Sequence, residues 1–405
     1  MFGVLRKMNA SKLSAGILLV MYYHAIFMGI FSFKLQRHWI SENGQMLMEL
    51  RALPRPGLMR FYAIYRILAI AILAYFYLPW ILRLEIFFER LVHFIRIITA
   101  TLVCVCILRL QLLHKADSKQ LMNTFFRLFR RVRALPSRKT FGYGGRRELV
   151  LLSLALICRI HELVYILESD RQHFSMERFL SWWCDTFIVF GINMMMQMSF
   201  VCYLSIGILY SELNDFVRFQ LRSELQALKR PHGLQPRRQH LRTVRRKLSE
   251  CLALYREIYA LATTFQKLTD FPFFLSIVHN YTLLGVVIYR LTIVGWFDKH
   301  KIQLSILTTK VILDFFLVTM AVEGAMTQFR VIRRLSLENC YISDHKDWHT
   351  TFDMFVTHLS LYEFRVRVLG LFDVSNELVL IVLSALVTFV IYVVQYRMQS
   401  TGEAA

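Results

Sequence analysis

Eight apolar runs constrain this chain more than any other feature: residues 13–33, 61–82, 91–110, 148–168, 181–210, 271–295, 303–326 and 376–396. Each is about 20 residues or longer, enough for a helix to cross about 30 Å of hydrocarbon. Lipid offers no hydrogen-bond partners, so such runs must satisfy their backbone internally as helices, and the fold class expected is an all-α membrane protein. The 405 residues are 56% hydrophobic, with a mean hydropathy of +0.43 and only 7 Pro, which suits long helices better than a loop-rich soluble fold. The net charge of +21 could suggest nucleic acid. Lys and Arg instead fall between the apolar runs, with no RNP-type or helix-turn-helix pattern around them, so no nucleic-acid partner is expected.

The charges between the runs set orientation, because Lys and Arg are retained on the cytoplasmic side. If every run crosses, residues 34–60, 111–147, 211–260 and 327–375 share one side and carry 32 basic residues, against 10 on the other. The first side is expected to be cytoplasmic. Of those ten only the N-terminal Arg6, Lys7 and Lys12 look misplaced, and they return to the cytoplasm if 13–33 dips into the membrane and comes back. The expectation is therefore seven transmembrane helices with inverted topology, N-terminus cytoplasmic and C-terminus extracellular, plus a re-entrant first hydrophobic segment. It divides the chain into the N-terminus and re-entrant segment (1–33), six crossings with long basic loops (61–326), cytoplasmic anchor helices (327–375), the last helix (376–396) and an extracellular tail (397–405).

The cytoplasmic segments have helical periodicity of their own. Leu213, Phe216, Val217, Leu221, Leu225 and Leu228 share a stripe, so the fifth run is expected to continue beyond the bilayer. Pro231, Gly233 and Pro236 predict a turn, after which 241–265 leads as helix into the sixth run. A cytoplasmic helical bundle follows, its basic face lying beside membrane lipid.

In the last run, Glu377, Ser384, Thr388, Tyr392, Gln395 and Gln399 fall on one narrow helical face. Such a stripe requires a polar neighbour, and it fits either a hydrogen-bonded seam between helices or the lining of a pore. Ionisable groups inside the other runs need a partner or a cavity. His93, Arg96, Glu162, Tyr165, Trp183, Asp185, Tyr289, Lys310 and Asp314 all fall in the outer half of their helices, and they are the candidate lining of a pocket for a small amphipathic ligand. The alternative for two pairs is neutralisation within one helix, Arg159 with Glu162 and Lys310 with Asp314. Tyr77, Trp80, Trp182 and Trp296 also suit an interfacial belt.

Enzymatic signals are absent: no P-loop, G-x-S-x-G elbow or Rossmann glycine pattern occurs. His345 and His349 have H-x-x-x-H spacing without the glutamate that a metalloprotease needs, and the seven cysteines form no CxxC pair. No metal, cofactor or catalytic residue is expected.

The C-terminal segment Thr388-Phe389-Val390-Ile391-Tyr392-Val393-Val394-Gln395-Tyr396 resembles the T-Y-(five apolar)-Q-F signature of insect gustatory receptors. Phe389, Tyr392 and Tyr396 depart from it. Leu369-Gly370-Leu371-Phe372 is similar to the family's G-x-F element, and Leu213-Asn214 to its L-N element. The resemblance implies a ligand-gated, nonselective cation channel of four subunits, either a homotetramer or a heterotetramer with paralogues, in the plasma membrane of chemosensory neurons. It places Ser384, Thr388, Tyr392, Gln395 and Tyr396 in the pore and gate, with a small-molecule tastant as ligand. The signature of the sugar-detecting subgroup is not closely followed, which favours a bitter or aversive compound. An auxiliary subunit that needs a paralogue is an alternative. A G-protein-coupled receptor is another, although it would place the N-terminus outside and the last helix lacks N-P-x-x-Y.

Overall fold

A computed structural model of the chain describes residues 2–31, 33–42, 45–84, 87–135, 143, 145–169, 176–224, 234–293, 299–334, 350, 353–357 and 364–402. The helices are α1 (Phe2–Phe27), α2 (Pro56–Leu82), α3 (Phe87–Leu112), α4 (Lys115–Ala134), α5 (Arg146–Ser169), α6 (Met176–Phe216), α7 (Leu234–Ile293), α8 (Lys299–Arg334) and α9 (Asn376–Gly402). Two antiparallel hairpins interrupt them, β1 (Phe33–Glu42) with β2 (Gln45–Pro54), and β3 (Arg367–Val368) with β4 (Phe372–Asp373). The all-helical membrane class holds: among the described residues, five helices are long and apolar enough to cross a bilayer, in α2, α3, α6, α7 and α8, with shorter apolar stretches at Ser11–Phe27 and Asn376–Tyr392.

The first apolar run forms a helix and then reverses. Ser14 Oγ donates to the Tyr143 carbonyl (2.7 Å), and ten residues on His24 meets Phe190 edge-on. At Gly29 the backbone enters the left-handed region (φ +67°), and a Cβ there would strike the Tyr62 ring, so the reversal needs glycine. Arg66 Nη2 donates to the Met28 carbonyl (2.9 Å). The chain then runs back alongside α1: the Tyr22 hydroxyl donates to the Phe33 carbonyl and accepts from the Leu35 N–H, both at 3.0 Å.

The 34–60 segment departs from the expectation of helices alone. It pairs as β1–β2 in register from Phe33↔Pro54 to Glu42↔Gln45. Phe33 and Leu35 turn inward while Lys34 and Gln36 are exposed, a period of two that a search for long apolar runs passes over. In the sequence Asn43-Gly44 stands between the paired ends, the strongest short hairpin signal there is. The sheet is tied to α4 by the Ala52 N–H donating to Asn123 Oδ1 (2.9 Å).

The long helices outrun any bilayer. At 1.5 Å per residue the 60 residues of α7 span about 90 Å, and the 41 of α6 about 60 Å, against about 40–45 Å for a membrane with its interfaces. The excess forms a protein core. Leu213, Phe216, Val217 and Leu221 are buried as the stripe predicted, although the last two lie in a π-helical turn, Val217–Leu221. Tyr210, Tyr255 and Phe329 cluster at tilted and edge-on angles with centroids 5.1–5.5 Å apart, and Phe364 joins them. Asn214 donates to the Gln328 carbonyl (2.7 Å), which gives the Leu213-Asn214 element a structural role in joining α6 to α8. Helix α7 continues unbroken from this bundle into the sixth run, as expected. Pro236, expected in a turn, instead occupies the first turn of α7, where a missing N–H costs nothing, while Pro231 and Gly233 lie outside the described residues.

Candidate functional site

Two groups of polar residues stand out, one inside the bundle and one on its surface. The internal group lies at the end of the bundle away from α4 and the β1–β2 hairpin. Here α3, α6 and α7 bring together His93, Arg96, Asp185 and Tyr289. Arg96 Nη2 donates to both Asp185 oxygens at 2.8 and 3.0 Å. His93 meets Trp80 edge-on at 4.9 Å, and the two line a cavity of about 50 Å³ with Tyr289 and Arg290.

Next to it, α5, α6 and α8 hold a four-membered ion network. Arg159 pairs with Glu162 (2.6 Å) and Asp314 (2.7 Å), and Lys310 pairs with the same two carboxylates at 2.7 and 2.8 Å. Both within-helix pairs read from the sequence form, and each cation also crosses to the other helix. Asn193 adds a hydrogen bond to Glu162. All four charged side chains are less than 10% exposed and their charges sum to zero, so each buried charge is compensated within the network. On the flank of this network α5 and α8 bound an open groove of about 540 Å³ lined by Cys158, His161, Thr309 and Lys310, the size of a small-molecule site.

Of the other candidates, Trp183 stands apart, donating from its indole N–H to the Tyr65 hydroxyl of α2. The side chains of Tyr165 and Tyr396 lie outside the described residues, as do Trp296, His345 and His349. Arg66 was missed. It is wholly buried in α2, with its guanidinium 5.0 Å from the Phe187 ring centroid, and the signal for it was a lone arginine inside the second apolar run. His279, wholly buried beside Thr99 (3.3 Å), was missed as well: the polar residues of its apolar run, Ser276, Asn280 and Thr282 among them, do not single it out.

The surface group is the polar face of α9. This helix packs on α7 and α8 through Leu378, Val382 and Leu386, which are 5–9% exposed and recur every fourth residue. Ser384, Thr388, Tyr392 and Gln395 lie about 120° around the helix from that stripe, at 3.6 residues per turn. All four are exposed, Tyr392 at 63%. Thr388 bonds only back to the Ser384 carbonyl of its own helix (3.0 Å). Among the described residues, then, no neighbouring helix of the same chain forms a seam with this stripe. Exposed Leu380, Leu383 and Val387 occupy the adjoining arc.

The segment before α9 is held tightly. Leu369 (φ 51°) and Gly370 (φ 71°), both in the left-handed region, are the central residues of a turn closed by the Leu371 N–H donating to the Val368 carbonyl (2.9 Å), within the three-residue connection of β3–β4. The Leu369 N–H donates to Asp270 (3.0 Å), Gln266 donates to the Arg367 carbonyl (2.7 Å), and Arg367 pairs with Asp373 (2.8 Å). The hairpin thereby joins α7 to the start of α9.

Comparison with known proteins accounts for this arrangement. Residues 18–400 match the family model of the 7tm chemosensory receptors. Gustatory receptor 93c of Drosophila melanogaster is 38% identical over 338 residues, 83% of this chain and 84% of the relative. Gustatory receptor 93b of the same species is 33% identical, covering 98% and 97%. A gustatory receptor for bitter taste, 93a, is 22% identical over 71% of this chain and 70% of its own length. Among solved structures, the insect olfactory receptor OR5 from Machilis hrabei superposes with a TM-score of 0.63 at 12% identity, covering 94% of this chain and 97% of that one. The same receptor in complex with eugenol gives 0.60, covering 96% and 99%.

Proposed function

The chain belongs to the insect gustatory receptor family, a multi-pass membrane chemoreceptor, and from that premise we propose that it is a ligand-gated, nonselective cation channel with a pore lined by α9. The observation that carries this reading is the polar face of α9, exposed along a helix otherwise suited to lipid. A polar stripe in hydrocarbon is costly, and copies of it from four subunits around an axis would enclose water instead. Ser384, Thr388 and Tyr392 line the path, and Gln395 with Tyr396 forms its extracellular gate. The assembly is a tetramer of this chain or of this chain with paralogues, in the plasma membrane of chemosensory neurons.

The inverted topology with seven crossings belongs to the same proposal. It is supported by the 32 basic residues gathered on one side and by α1, whose chain doubles back beside Tyr22 as a re-entrant segment would. The tastant binds in the outer half, between the Arg96–Asp185 pair and the groove above Lys310, with the four-ion network as its rigid floor. A bitter or aversive compound suits the likeness to the bitter-taste receptor, and the β3–β4 hairpin carries displacement of α7 to α9.

Whole-cell recording in cells without functional G proteins tests the channel. Tastant-evoked current should persist there when this chain is expressed with its paralogues; its disappearance would assign signalling to a G protein.

A further inference from the structure

A cavity of about 560 Å³ among the described residues lies away from the outer pocket. It is bounded by α1, β1, α3, α4, α6 and α7. Along α6 its wall includes Gln197, twelve residues beyond Asp185 and so about 18 Å further along the helix axis. The volume falls within the range of small-molecule sites, and the walls are largely apolar, with Met195, Met198, Phe125, Phe129 and Phe265 among them.

One polar group there lacks a partner. Gln197 is 6% exposed, and among the described residues neither its amide nitrogen nor its amide oxygen has a hydrogen-bond partner. Gln111, at 4%, uses its nitrogen on the Gly29 carbonyl and leaves its oxygen unpaired. A buried amide without partners costs roughly 1–3 kcal/mol, so both ends of Gln197 favour whatever can pair with them. Several hydroxyls of the wall are already paired: Tyr143 with Ser205, Tyr22 with the β1 backbone and Thr269 with the Phe265 carbonyl. Burial pushes the Tyr143 hydroxyl up to about 12, so it is neutral at any cellular pH. The lining charges, Lys115 and Arg133, belong to α4, and Gln197 to the middle of α6.

We propose that this inner cavity is a second ligand site, taking a small uncharged molecule with an apolar body and one alcohol or carbonyl group that pairs with the Gln197 amide. The ligand reaches it from the bilayer or the cytoplasm and acts on the receptor from within, by wedging α1 against α4, α6 and α7. A primary amide both donates and accepts, which suits an alcohol or carbonyl; an anion would leave its nitrogen paired and its oxygen repelled.

Photolabelling of the purified full chain in lipid nanodiscs with 3-azioctanol tests this. Adducts should concentrate on residues 194–205 and 118–129 and be competed by excess octanol. Gln197→Leu, close in volume, should lower the competed labelling by about fivefold or more. Ala15→Trp, which fills the cavity from α1, should abolish it in protein that still elutes as a single species. Labelling that octanol does not compete, or that survives both substitutions, would overturn the proposal and leave the cavity to water or lipid. Stronger labelling by the matching diazirine octanoate would overturn it equally, by assigning the site to anions.

Discussion

A few single residues carry disproportionate weight because they are polar groups in apolar surroundings. Asp314 accepts from both Arg159 and Lys310, and neutralising it leaves two buried cations sharing Glu162 alone, one positive charge in excess. Asp314→Asn should therefore destabilise the receptor by about 3–5 kcal/mol, seen as a loss of monodisperse protein in a thermal challenge. Replacing Lys310 with Met should do the same alone, and the double change with Glu162→Gln should recover most of the loss, because the remaining Arg159–Asp314 pair is neutral by itself. If the double variant is no more stable than Lys310→Met, the four ions do not act as one network. These residues were legible in the sequence as charges in apolar runs, and even their spacing along each helix was. That they pair across helices as well was not, because no one-dimensional pattern records which faces of α5 and α8 meet. Arg66 was harder still: its partners are a backbone carbonyl, the Cys104 sulfur and an aromatic ring, and none is a carboxylate to match.

Among the elements, the two hairpins show where reading by apolar length fails. Helices of 20 residues are visible as runs, whereas β1–β2 has a period of two and β3–β4 has strands of two residues each, so both fell within segments taken for loops or helices. The short one was marked only by Gly370, which sits where φ is positive. Leu369 holds the same conformation with a Cβ, at a cost of roughly 1–2 kcal/mol, so Leu369→Asn should leave surface expression at least as high as the parent. Removing the anchor is different. Asp270→Ala leaves the Leu369 N–H without its acceptor and should reduce tastant-evoked current while surface expression persists, since the hairpin would no longer follow α7. Equal current per surface receptor in that variant would place the coupling elsewhere. Gly29→Ala, by contrast, should lower expression outright, because the new Cβ meets Tyr62.

For the molecule as a whole, the apolar runs foretold the helices, but how far the long helices extend past a bilayer emerges only from their lengths. The unbroken α7 carries one continuous core from the Tyr210–Tyr255–Phe329 cluster into the sixth apolar run, so the bundle and that run share one core. An epitope placed before Lys12 should stain only permeabilised cells; staining of intact cells would put α1 across the membrane. The central claim concerns α9, and cysteine accessibility tests it most directly. With a charged thiol reagent applied from outside during tastant exposure, cysteines at Thr388, Tyr392 and Gln395 should react and change the current, while cysteines at Leu383 and buried Leu386 should not. Silence at all five positions would contradict a pore along this face and return the stripe to an interface between subunits.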